Sequence, residues 1–126
     1  MEPVSTGGLP ADVLIVEDDA LLRLDLEDTI QRLGVTSVRS AGNAALALQL
    51  IAEREPNLAL LDVSLVREKS FAIAERLAEL GIPFVFVTGY GAGKVPDAFA
   101  DRLRLTKPWS TEMLQTVLRR FGTASR

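Results

Sequence analysis

Glu17-Asp18-Asp19, Asp62, Thr88 and Lys107 are the residues of this chain whose types and placement could do chemistry together. The acids and Thr88 lie just past the short apolar runs Val13-Leu14-Ile15-Val16, Leu58-Ala59-Leu60-Leu61 and Phe84-Val85-Phe86-Val87, and Lys107 follows the short stretch Leu103-Arg104-Leu105, read as an exposed fifth strand. Carboxylates gathered in one place repel one another, so they must take up protons or bind a cation. The chain has Cys 0 and His 0, so any metal has to sit on oxygen ligands. That restricts it to Mg²⁺, Mn²⁺ or Ca²⁺, and hard oxygen donors at a loop-rich edge favour Mg²⁺. A lysine beside the acids would pair with the carboxylate left over. A metal, a nucleophilic carboxylate, a hydroxyl donor and a fixed positive charge are what phosphoryl transfer to an aspartate needs.

The same two absences exclude other chemistries. Without His there is no Ser-His-Asp triad, no imidazole zinc site and no role as a phosphohistidine carrier. Without Cys there are no disulfides or thiolate nucleophiles, which suits a reducing compartment and a cytoplasmic location. The formal net charge of −3 offers no basic excess for binding nucleic acid or an anionic membrane directly. No apolar run approaches the ~18 residues of a membrane span. With 126 residues, 48% of them hydrophobic, the expectation is one globular domain.

These residues need elements to hold them. Residues 1–11, rich in Pro, Gly, Ser and Thr, are expected to form a mobile tail, residues 12–122 the domain, and 123–126 a short tail. The wholly apolar β-branched run Val13 to Val16 reads as a strand buried on both faces of a parallel sheet. Leu22, Leu26, Ile30 and Leu33 recur at helical spacing, Asp19 is placed to cap that helix and Gly34 to end it. Val35 to Arg39 alternates weakly as a second strand, and Asn43 caps a helix carrying Leu46, Leu50 and Ile51. Phe71 to Leu80 predicts a third helix through Ile73, Ala74, Leu77 and Leu80. The Gly- and Pro-rich stretch Gly89 to Pro96 argues against a long helix, leaving a turn or two over Asp97 to Arg102. Ser110 caps a last helix with Met113, Leu114, Val117, Leu118 and Phe121 inward. Trp109 is read as a packing residue. Strand alternating with helix five times over predicts an α/β fold, a (βα)5 doubly wound parallel sheet with right-handed crossovers and a shortened or irregular fourth helix.

The acidic cluster, Leu61-Asp62-Val63, Thr88-Gly89 and Lys107-Pro108, in that order, resemble a response-regulator receiver domain of two-component signalling. The likeness runs from about Asp12 to Phe121 and implies the flavodoxin-like strand order 2-1-3-4-5. It implies that Asp62 is the phosphoacceptor, attacking a phosphohistidine or a small acyl phosphate. Mg²⁺, or Mn²⁺ in its place, would be ligated by Asp18 and Asp62, by Glu17 directly or through water, and by the main-chain carbonyl of Ser64. Lys107 and the Thr88 hydroxyl would hold phosphoryl oxygens, and Pro108 is expected to follow Lys107 through a cis peptide. Phe86-Val87-Thr88-Gly89-Tyr90-Gly91, with Ser70-Phe71 upstream, resembles a subgroup with a Phe-Ala-Thr-Gly-Tyr-Gly motif, often found as stand-alone receivers beside stress-signalling kinases.

Three departures bear on output rather than on phosphorylation. Where receivers commonly carry Tyr or Phe, three positions before the lysine, this chain has Arg104, so Thr88 must be coupled to another element, for which Tyr90 is the nearest candidate. The interval from Thr88 to Lys107 is short for a full helix and could order on phosphorylation. No output domain follows Phe121, so the expectation is a stand-alone receiver or a piece of a longer chain. The leading expectation is therefore a Mg²⁺-dependent phosphoacceptor that takes phosphate from a histidine kinase or phosphotransfer protein, then acts on a downstream protein or as a phosphate sink. It would catalyse only its own phosphorylation and dephosphorylation. The alternative is a degenerate receiver serving as a phosphate-independent interaction module. A small phosphohydrolase ranks last, for want of a second acid and a substrate pocket. A dimer through the last strand and last helix is compatible with the pattern.

Overall fold

The computed structural model describes residues 8–63, 67–89, 97–99 and 101–122. Five strands, β1 (Asp12–Val16), β2 (Ser37–Ala41), β3 (Leu58–Asp62), β4 (Phe84–Thr88) and β5 (Arg104–Thr106), form one sheet in the order β2-β1-β3-β4-β5. Every neighbouring pair is parallel. The helices are α1 (Ala20–Leu33), α2 (Ala44–Glu53), α3 (Arg67–Glu79) and α4 (Thr111–Arg120). Between β4 and β5 the described residues hold only a 3₁₀ turn, Asp97–Phe99.

The alternation of side chains along a strand divides the core in two. Leu14, Val16, Ala59, Leu61, Phe84 and Phe86 face one side, where Ala47 and Ile51 of α2 and Ile73, Ala74 and Leu77 of α3 cover them. Val13, Ile15, Leu58, Leu60, Val85 and Val87 face the other, under Leu26 and Ile30 of α1 and Leu114, Val117 and Leu118 of α4. Burial on both faces is why β1, β3 and β4 are nearly continuous apolar runs. Beneath α3 the rings of Phe71, Phe86, Phe84 and Phe99 meet edge to face or tilted, with the Arg102 guanidinium 4.3 Å above the Phe84 ring.

Helix ends follow local chemistry. The Asp19 carboxylate accepts from the Leu21 and Leu22 amides at the start of α1, and Gly34, at φ 117°, closes it in the left-handed region. Asn43 and Ser110 cap α2 and α4.

Several sequence expectations need correction. Leu9 packs against the second core layer and Pro10 is buried, so packing begins ahead of Asp12. The strand predicted over Val35 to Arg39 lies two residues later, because Val35 still serves the end of α1, donating to the Ile30 carbonyl. In α2 the small Ala47 points inward and Leu46 is exposed, since a close approach to the sheet favours the smaller residue. Leu22 lies at the outer rim of α1, and Met113, expected inside, is 43% exposed in the first turn of α4. Among the described residues no helix is long and apolar enough to cross a membrane.

Candidate functional site

Because all five strands run the same way, their carboxyl ends and the turns that follow share one edge of the sheet. β1 delivers Glu17 and Asp18 there, β3 delivers Asp62, β4 delivers Thr88 and β5 leads into Lys107. Glu17, Asp18 and Asp62 each present a carboxylate oxygen, and these oxygens lie within 4.8 Å of one another. Glu17 and Asp62 are buried, whereas Asp18 is exposed at the rim. Lys107 reaches over both buried acids, its Nζ donating to Glu17 Oε1 at 3.3 Å and to Asp62 Oδ2 at 3.5 Å. The Lys107–Pro108 peptide is cis.

The charge balance is negative. Burial pushes the Glu17 carboxyl up to about 7, and a hydrogen bond with Asp62 adds to the rise; the Asp19 amide and the Lys107 ammonium only partly oppose it. A clustered set of hard oxygen donors, with one ammonium among them, is suited to a divalent cation of the Mg²⁺ class.

Thr88 sits one position beyond Val87, the register partner of Asp62, and its carbonyl accepts from the Lys107 amide at 2.8 Å. Its neighbour across the last pairing is Thr106. Arg104 stands exposed on β5, in register with Phe86. Ser64 and Tyr90, named as a main-chain ligand and a switch candidate, lie outside the described residues. Trp109 packs against the core and, with Leu22, Asp25, Gly89, Lys107 and Pro108, lines a groove of about 490 Å³ beside the acids.

Two supporting side chains were given no role at the site by the sequence, although Ser70 stands in the motif that carries the subgroup resemblance. Ser70 is buried in α3 and its hydroxyl donates to the Asp62 carbonyl at 3.3 Å. The available signal was a polar residue in the inward register of Ile73, Ala74 and Leu77. Arg23 of α1 donates from Nη1 to the Glu17 carbonyl at 2.9 Å, a partner no spacing rule would single out.

Residues 13–119 match the family model of the response regulator receiver domain. The chain is 33% identical over 118 residues to the sensory transduction protein LytT of Bacillus subtilis, covering 90% of this chain and 49% of that protein. It is 31% identical over 106 residues to the transcriptional regulatory protein PdtaR of Mycobacterium tuberculosis, covering 81% of this chain and 52% of that protein. The chain thus spans about half the length of these curated relatives. Among solved structures, the BeF3-activated conformation of SdrG from Pseudomonas melonis Fr1 superposes with a TM-score of 0.74 at 39% identity, covering 88% of this chain and 94% of that one.

Proposed function

Because the chain belongs to the receiver-domain family of response regulators, we propose that it accepts a phosphoryl group from a histidine kinase or phosphotransfer protein onto Asp62. The meeting of Glu17, Asp18 and Asp62 beneath Lys107 supports this reading. A carboxylate oxygen of Asp62 forms the new bond to phosphorus while the phosphorus–nitrogen bond of the donor breaks and its electron pair leaves with the imidazole. Lys107 lies within reach of Asp62 to pair with a phosphoryl oxygen, and the Thr88 hydroxyl, on the adjoining strand end, donates to another. Glu17, Asp18 and Asp62 would hold Mg²⁺ or Mn²⁺, with the Ser64 carbonyl as a further ligand. When bound, the cation offsets charge on the transferring oxygens and on the acids themselves. The domain turns over no external substrate and catalyses only its own phosphorylation and dephosphorylation.

Output runs through altered protein contacts, or the domain serves as a phosphate sink. Arg104 replaces the usual aromatic on β5, so coupling from Thr88 passes instead toward Tyr90 and the segment leading to the 3₁₀ turn, with β5 and α4 as the responsive surface. Arg104 also favours a second reading, a phosphate-independent interaction module. Intact mass after incubation with acetyl phosphate and Mg²⁺ tests the acceptor. One added phosphoryl group, lost in Asp62→Asn and lost with EDTA, is the expected result. No gain in mass with either acetyl phosphate or a phosphorylated cognate kinase would favour the second reading.

A further inference from the structure

The turn from Glu17 to Asp19 is held at several main-chain points. The Glu17 amide donates to the Ala41 carbonyl at 3.0 Å, at the end of β2. The Asp19 amide donates to Glu17 Oε2 at 3.0 Å, and Asp19 in turn caps α1. The Glu17 carbonyl receives Nη1 of Arg23, one turn into α1, at 2.9 Å. That guanidinium reaches its partner by passing over Gly42. A Cβ built on Gly42 would stand 2.8 Å from Arg23 Nη1 and 3.5 Å from Cζ, so any larger residue would push the guanidinium aside.

Arg23 is therefore a cation held against the main chain of the acid-bearing turn, and among the described residues it donates to a carbonyl rather than to a carboxylate. We propose that Arg23 is a positioning residue for cation binding, threaded across Gly42 to hold the Glu17 carbonyl and with it the turn that aims Glu17 and Asp18. This inference rests on the reading of the acidic cluster as a Mg²⁺ site. Electrostatics and positioning make opposite predictions here. Removing a nearby positive charge should tighten the binding of another cation, whereas releasing the turn should weaken it, as losing the partners that orient metal ligands commonly does.

The test is calorimetric titration of Mg²⁺ into wild type, Arg23→Ala, Arg23→Lys, Gly42→Ala and the Arg23→Ala/Gly42→Ala pair, with amide exchange of the Mg²⁺-free proteins measured alongside. Arg23→Ala is expected to weaken Mg²⁺ binding by about tenfold and to speed exchange at the Asp19 amide, with circular dichroism unchanged. Gly42→Ala should weaken binding in the same direction, and should add less than about twofold once Arg23 is gone, because both act through one contact. Arg23→Lys, which keeps the charge on a differently shaped head, should fall between wild type and alanine. Unchanged or tighter binding by folded Arg23→Ala would overturn the proposal, as would a full Gly42→Ala effect in the Arg23→Ala background. If wild type itself takes up no Mg²⁺, the cation-site reading fails. Arg23 is then judged by exchange alone, and unchanged exchange at Asp19 would refute its hold on the turn.

Discussion

At its amino end β1 buries Asp12 among two guanidinium groups and a hydroxyl; one residue past its carboxyl end, the chain buries Glu17 against a second carboxylate and a single ammonium. Asp12 accepts from Arg39 Nη2 at 2.6 Å, from Ser37 Oγ at 2.8 Å and from Arg54 Nε at 3.4 Å. Its main chain is clasped by Asn57, whose Oδ1 accepts from the Asp12 amide and whose amide donates to the Asp12 carbonyl. Burial alone would raise the Asp12 carboxyl, but these hydrogen bonds outweigh it and hold the group below the ordinary value of 3.8. Glu17 moves the opposite way, up to about 7. One end of the strand is thus balanced internally, and the other is left short of positive charge. A balanced carboxylate is favoured by the fold in its ionised form, whereas an unbalanced one is costly until something cationic arrives.

The sharpest way to break this contrast is at the unbalanced end, where Asp62→Asn is expected to abolish phosphoryl uptake, as read by intact mass. A modified Asp62→Asn protein would move the acceptor elsewhere. At the balanced end, Asp12→Ala leaves the Arg39 guanidinium with main-chain carbonyls alone and should cost roughly 3 to 4 kcal/mol at pH 7 by urea denaturation. The sign with pH follows from a depressed carboxyl. Its stabilisation is complete above the ordinary 3.8 and is lost as the pH falls below that value, so wild type and Asp12→Asn should converge in acid.

Glu17→Gln should do the reverse. A carboxyl raised from 4.5 to about 7 destabilises the Mg²⁺-free fold increasingly across that interval and by a constant amount above it. Glu17→Gln is therefore expected to be more stable than wild type by roughly 1 to 2 kcal/mol at pH 8, with no difference below pH 4.5. Saturating Mg²⁺ should narrow the gap, because it binds the folded wild type. Thermal melts with and without Mg²⁺ check both statements. The smallest effect belongs to Arg54→Ala, below about 1 kcal/mol, since that side chain is 61% exposed and its contact with Asp12 is long. A loss as large as that of Asp12→Ala would mean that Arg54, rather than Arg39, balances the charge.

Much of the unbalanced end was legible in the sequence, because a parallel sheet collects strand ends at one edge and each apolar run stops at a reactive residue. Lys107 over Glu17 and Asp62 is the clearest instance. The balanced end was not legible. Asp12 looks like the polar start of a strand until register sets it beside Ser37, and Arg39 and Arg54 reach it only once β2 and the end of α2 are in place. Pairings over such separations depend on tertiary geometry that periodicity does not encode. Counting large apolar residues at helical spacing puts Leu46 and Met113 inside. The packed structure instead buries Ala47 and turns Met113 outward, because the distance of a helix from the sheet decides which side chain fits. The strand order followed from the family resemblance, and no pattern of spacing would have supplied it.

β5 carries a consequence for how copies of this domain can meet. It is one of the two margins of the sheet, only three residues long, with Leu105 turned inward and Arg104 and Thr106 turned out. A margin that short offers few unpaired amides and carbonyls, and a guanidinium stands on it. It is a poor template for adding strands one after another, so the domain should resist fibre growth from that side even at high concentration. Any association through β5 and α4 would have to rely on side chains rather than on added strand pairing.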